Sequence, residues 1–272
     1  MRRGAQAAWE LVSLVCIAIV GIPLYFVIVN AFKTKAEAAE MSLALPGQWN
    51  IADNLRDVFA AARIPQAFWN TFVITAIGVV LIVVLCSVSA FVIQRRDTRL
   101  TRLVQQILVV GLILPTMIIT TYYVVDFFEL VRTYAGVILL FIAGNYAFFT
   151  YLYVSFMHGI PRDLDEAAII DGVGKLRLFF VVLFPLLLPV NASVLILASM
   201  NIWNDFTIPF YFLNTADRYT LSLLIYFFFG QKAADWNLVF MTILIVSLPV
   251  VLLYLFLQRY IVAGMTAGSV KS

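Results

Sequence analysis

Residues Thr71–Ile93 read TFVITAIGVVLIVVLCSVSAFVI, without one charged side chain. Crossing about 30 Å of hydrocarbon takes about 20 helical residues. A helix is the one open-chain structure that satisfies its own backbone in lipid. The stretch therefore predicts a membrane-spanning helix. Working outward, five more runs predict the same: Leu11 to Phe32, Leu103 to Val125, Gly136 to Phe156, Leu178 to Ile202 and Leu238 to Leu257. The expected fold class is all-α, an integral membrane protein with six transmembrane helices, residues 1–272 forming a single transmembrane domain. A seventh run, Leu221 to Phe229, is too short to cross. The first run follows Arg2 and Arg3, is too long for a signal-peptide core and precedes no small-residue cleavage site, so it is expected to stay as a helix.

Composition agrees. Of the 272 residues 63% are hydrophobic and 12% charged, with mean hydropathy +0.99, where soluble domains run about 45–50% apolar and about 25% charged. That balance excludes intrinsic disorder, a disulfide scaffold and a nucleic-acid-binding domain. The net charge of +3 singles out no polyanionic partner. Cys16 and Cys86 lie in apolar runs and read as small hydrophobes.

The short segment Arg95–Arg102 holds four arginines. Short loops rich in Lys and Arg stay on the cytoplasmic side, which predicts both termini in the cytoplasm. The long mixed-charge segment Lys33 to Phe68 then lies outside, where another protein could rest.

One inside loop is unusually polar: residues 158–177, HGIPRDLDEAAIIDGVGKLR. It predicts a short helix, with Asp163 as N-cap and Glu166 completing a capping box. Asp165 and Glu166 suit the dipole of the first turn, and Ala167 with Ala168 give one smooth face. Gly172 and Gly174 stop the helix, Gly172 at a position calling for φ > 0. So short a helix is marginal alone in water and calls for a partner surface.

These residues closely resemble the EAA loop of bacterial ABC importer permeases: Glu166-Ala167-Ala168, then Asp171-Gly172, then nine residues to Val182-Leu183-Phe184-Pro185. Val182 and Phe184 depart from the family's Ile and Leu, apolar for apolar. Trp203-Asn204-Asp205-Phe206 with Pro209, and the ending Gln258 to Lys271, are similar to corresponding segments of MalG-like sugar permeases. The resemblance implies a type I importer permease in the bacterial inner membrane. It implies a second permease as heterodimer partner, two copies of a cytoplasmic ATPase that binds ATP and magnesium, and an extracytoplasmic solute-binding protein. Glu166, Ala167, Ala168, Asp171 and Gly172 become the ATPase-coupling residues, and the tail beyond Arg259 would touch the ATPase dimer.

Gly174-Lys175 is no phosphate loop, since Ile169 and Leu176 stand where that motif needs Gly and Ser or Thr. No cofactor is therefore expected in this chain. His158, the single histidine, has no companion for a metal site, and no catalytic constellation is visible. Polar residues within spans usually face a cavity or another helix; these are Gln105, Gln106, Asn145, Asn191 and Asn201. Asn145, Asn201, Asn204 and Asp205 are the expected substrate-pathway residues, because amides offer sugar hydroxyls both donors and acceptors. Helix–helix hydrogen bonding is the alternative for such groups. Pro185, Pro189 and Pro249 are expected to kink their helices. A sugar or oligosaccharide is the expected substrate, with a polyol or glycerol phosphate as alternative. An ion-coupled carrier or channel is the rival class, and would need the midplane ionisable residues or inverted repeats that the sequence lacks.

Overall fold

A computed structural model of the chain describes residues 2–61, 63–231 and 235–269, and no strand occurs among them. In chain order the helices are α1 (Arg2–Ala31), α2 (Lys35–Ala39), α3 (Ile51–Ala61), α4 (Ile64–Arg95), α5 (Arg99–Ile113), α6 (Ile118–Phe127) and α7 (Tyr134–His158). There follow α8 (Asp163–Ile170), α9 (Lys175–Arg177), a π-helical segment (Leu178–Leu183), α10 (Phe184–Leu186), α11 (Leu188–Asn204), α12 (Thr207–Phe212), α13 (Leu221–Gln231) and α14 (Trp236–Ser269). The tail motif Gln258 to Lys271 falls outside the described side chains, and Val270 and Lys271 outside the described residues altogether.

Three helical stretches among the described residues are long and apolar enough to cross a membrane: Val12–Ala31, Ile64–Arg95 and Tyr134–His158. The run Leu103 to Val125 is not one helix. It breaks between α5 and α6, where Leu114 is extended (φ −68°, ψ 128°). Leu114 precedes Pro115, and the proline ring bars its neighbour from the α region. The run Leu178 to Ile202 is likewise divided, with a 79° bend between the segments Lys175–Leu186 and Leu188–Asn204. Pro189 has no N–H to offer the Pro185 carbonyl. Ahead of the bend the Phe184 N–H reaches back five residues to the Phe179 carbonyl, the π pattern often found at functional sites.

The chain forms two compact units. One comprises residues 1–67 and 221–251. Its polar centre is Lys33, only 2% exposed. The Lys33 Nζ donates to Asn30 Oδ1 (3.1 Å), the Ser42 carbonyl (2.8 Å) and Ser42 Oγ (2.9 Å). Burying a cation is costly unless its donors are satisfied, and here all three are. Asn54 donates to the carbonyls of Ala31 and Lys33 and accepts from Asn237 Nδ2 at 2.7 Å. Phe26 meets Phe240 edge to face.

The other unit comprises residues 68–220 and 252–272. Its core joins Ile82 and Cys86 of α4, Phe141, Phe149 and Tyr153 of α7, and Val190, Val194 and Ala198 of α11. Gly136, in the first turn of α7, permits a close approach: a Cβ there would collide with the Leu130 carbonyl oxygen. Between α7 and α11 the Tyr153 hydroxyl donates to Asn191 Oδ1 at 2.7 Å, so Asn191 serves helix–helix bonding. Such bonds in membranes are worth about 0.6 kcal/mol on average, so close packing carries most of the association.

Candidate functional site

The polar loop begins where α7 ends. Its helix, α8, is not capped as its sequence predicts. Arg162, already helical at φ −72° and ψ −20°, occupies the N-cap and makes no side-chain cap bond. Asp163 thus lies inside the helix, and no capping box forms with Glu166. The loop is held from outside instead. Arg95, at the end of α4, places its Nε 2.5 Å from Asp165 Oδ2, with the two side chains 10% and 12% exposed. The same guanidinium donates to the Ile160 carbonyl at 3.3 and 3.4 Å. Arg162 Nη2 donates to the Gln94 carbonyl at 3.0 Å, and Gln94 Nε2 lies 3.0 Å from His158 Nδ1.

Burial pushes the Asp165 carboxyl above its ordinary value, and the charges of Arg95 and Arg162 oppose that rise. Burial outweighs the two cations because a carboxylate withdrawn from water loses more hydration than one ion pair restores. Asp165 Oδ1 has no hydrogen-bond partner among the described residues.

The far end of α8 follows the glycine expectation. Asp171 is the C-cap, and Gly172 has φ +77°. The Gly172 N–H bonds to the Ile169 carbonyl and the Val173 N–H to the Ala168 carbonyl, each at 3.0 Å. This is the Schellman pattern, and its apolar contact is present where Val173 packs on the cluster of Ala168, Leu178 and Leu183. A Cβ at Gly172 would meet nothing within 4 Å, so the demand for glycine comes from the backbone angle alone.

Ala167 and Ala168 do not share a face. Neighbouring helical residues point about 100° apart: Ala168 packs inward and Ala167 is exposed. Glu166, Asp171 and Gly172 are exposed with Ala167. Beside them stand Ile169 and Ile170, 62% and 85% exposed. Two isoleucines presented on a polar loop form a small apolar surface left largely open among the described residues.

A second feature is a cavity of about 670 Å³ lined from α5, the break after it, α6, α7, the end of α11 and α12. Asn145, Asn201 and Asp205 all line it, and Asn145 Nδ2 donates to Asn201 Oδ1 at 3.2 Å. Asp205 Oδ1 accepts from the Ile208 N–H at 2.7 Å, fixing the start of α12. Asn204 is not on the lining; its amide donates back to the Met200 carbonyl at 2.9 Å. Gln105 and Gln106 are absent from it too. Thr116, Thr121, Tyr146 and Thr207 complete the polar wall. Two of them come from the break around Pro115 and the start of α6, so Pro115 was the available signal. Among the described residues no Lys, Arg or His lines the cavity. No cluster suited to a metal occurs among the described residues.

Residues 82–267 match the family described as binding-protein-dependent transport system inner membrane component. The chain is 33% identical over 92% of its length, and 91% of the relative's, to the probable starch degradation products transport system permease protein AmyC of Thermoanaerobacterium thermosulfurigenes. It is also 33% identical, with the same coverage of both chains, to the melibiose/raffinose/stachyose import permease protein MelC of Bacillus subtilis (strain 168). In fold it is similar to a chain of the crystal structure of a bacterial ABC transporter involved in the import of the acidic polysaccharide alginate, with TM-score 0.83, 18% identity, and 95% and 96% of the two chains covered. The chain belongs to the binding-protein-dependent transport system inner membrane component family, and it is a permease subunit of such a system.

Proposed function

We propose that this chain forms half of the translocation pathway of an ATP-driven importer for a neutral sugar or oligosaccharide. Six crossings are counted by taking α5 with α6 as one broken span and the π segment with α11 as another, beside α1, α4, α7 and α14. Both termini then lie in the cytoplasm, with a solute-binding protein delivering substrate from outside. A second permease completes the pathway. The loop around α8 docks on one of two copies of a cytoplasmic ATPase, which carries ATP and magnesium and does the hydrolysis. Glu166, Ala167, Ala168, Asp171 and Gly172 transmit its movement.

The observation that carries the docking role is Ile169 and Ile170 standing exposed on a helix clamped by Arg95 at one end and a Schellman turn at the other. A rigid helix can pass on a push; a frayed one absorbs it. The cavity supports the substrate class. Its polar groups are amides, hydroxyls and one carboxylate, without a cation to bind glycerol phosphate or a uronate. Uptake of labelled saccharides, measured with ATPase retention in the same membranes, tests the reading. Gly172→Asp should insert normally, lose uptake and hold the ATPase weakly. Normal uptake with the ATPase attached would sink the coupling role.

A further inference from the structure

Between the end of α4, α8 and the π segment lies a separate cavity of about 430 Å³. Its walls are apolar where Phe91, Val92 and Phe180 line it, and basic where Arg96, Arg162 and Lys175 do. Val92 and Phe180 remain 36% and 48% exposed, so the apolar wall opens outward. Of the charges at this cavity, Arg95 and Asp165 neutralise each other. That leaves three cations against the single carboxylate of Glu166. Neither Arg96 nor Lys175 has a side-chain hydrogen bond or ion pair among the described residues. Open aromatic surface beside unpaired cations matches neither water nor hydrocarbon. It matches a molecule with an anionic head and an apolar tail, and basic pockets between cytoplasmic helix ends hold such headgroups.

We propose that this cavity binds one acidic phospholipid, its phosphate on Arg96, Arg162 and Lys175 and an acyl chain along Phe91, Val92 and Phe180. The site goes beyond the transport reading and uses cations that reading leaves idle. Its assignment to the cytoplasmic leaflet rests on the proposed topology, whereas the binding does not. A lipid seated there braces the α4 end against α8, beside the Arg95–Asp165 pair.

The test uses the whole purified complex in phosphatidylcholine vesicles containing a minority of phosphatidylglycerol, with no ATP or sugar present. Failure of the import reading therefore leaves it untouched. Phosphatidylglycerol retained through purification should be enriched over phosphatidylcholine. Replacing both free cations, R96Q with K175Q, should weaken its binding roughly 30-fold, the effect of two surface charges. Val92→Trp keeps the cations and fills the chain's path, and should also lose the lipid. Inorganic phosphate should not displace it. Equal retention of both lipids, or retention unchanged in either variant, overturns the proposal. So does displacement by inorganic phosphate, which would make this a soluble-anion site. Cross-linking of a cysteine at position 96 to the ATPase subunit would mean a protein segment fills the cavity, and overturns it equally.

Discussion

Arg95 Nε and Asp165 Oδ2 lie 2.5 Å apart, joining the last residue of α4 to the first turn of α8. This pair, and not a local cap, sets the attitude of the helix proposed to dock on the ATPase. Removing one partner of a buried pair costs about 3–5 kcal/mol where the other charge is left uncompensated. Arg95→Ala strands the Asp165 carboxylate and frees the Ile160 carbonyl. It should lower the unfolding temperature of the complex and loosen α8 in hydrogen exchange. A double change of Arg95 and Asp165 to apolar residues should recover much of the stability. If the single variant matches wild type in both measurements, the clamp is not structural.

Asp165 also makes a pH prediction. Burial raises its carboxyl above the ordinary value in the folded chain. A raised carboxyl favours folding most below its unfolded value of about 3.9, and that contribution is lost as pH rises through the folded value. Amide protection of α8 attributable to this residue should therefore fall from acid towards neutral pH. Asp165→Asn should flatten that fall. An equally steep profile in the variant would assign the dependence to another group.

At Gly172 the cost is backbone strain alone. With φ +77° and free space at the Cβ, Gly172→Ala should lose about 1 kcal/mol locally. Gly172→Asn, which tolerates the left-handed region better, should lose less. Uptake should rank glycine, asparagine, alanine, aspartate. Alanine and asparagine reversed would mean side-chain volume, not φ, is limiting.

Ile170 is the most exposed large apolar side chain of α8. Ile170→Asp should leave expression and thermal stability near wild type, because the side chain touches little in this chain. Co-purification of the ATPase should drop. An undiminished ATPase yield would move the docking surface elsewhere.

In the cavity, Asn145→Ala and Asn201→Ala should each reduce transport with assembly intact, since the two amides meet on its wall. Asn204→Ala should change transport little, because that amide is spent on its own helix. Initial rates of labelled sugar uptake distinguish the three. An effect confined to Asn204 would place the pathway outside this cavity.

Much of this was legible in the chain by itself. Apolar runs determined the helices and their membrane character, because lipid tolerates few other backbones. Gly172 was legible as a helix stop because its φ is a local property of two adjoining turns. Asn145, Asn201 and Asp205 stand out in the sequence as polar exceptions in apolar surroundings, and the fold gathers all three at one cavity. Pro115 and Pro189 mark breaks that hydropathy smooths over, since a window of apolar residues registers neither the clash of a proline ring with its preceding residue nor a missing N–H.

Tertiary structure alone decided the rest. Nothing near Asp165 announces that it, and not Asp163, holds the loop; its partner Arg95 belongs to another helix, and only packing brings them together. Asn204 and Asn201 look alike in sequence, yet one bonds its own helix and the other meets Asn145. Local chemistry determines which helices form and where they stop, because those depend on neighbours in the chain. Which charges pair, and which amides share a cavity, depends on distances across space that no spacing along the chain encodes.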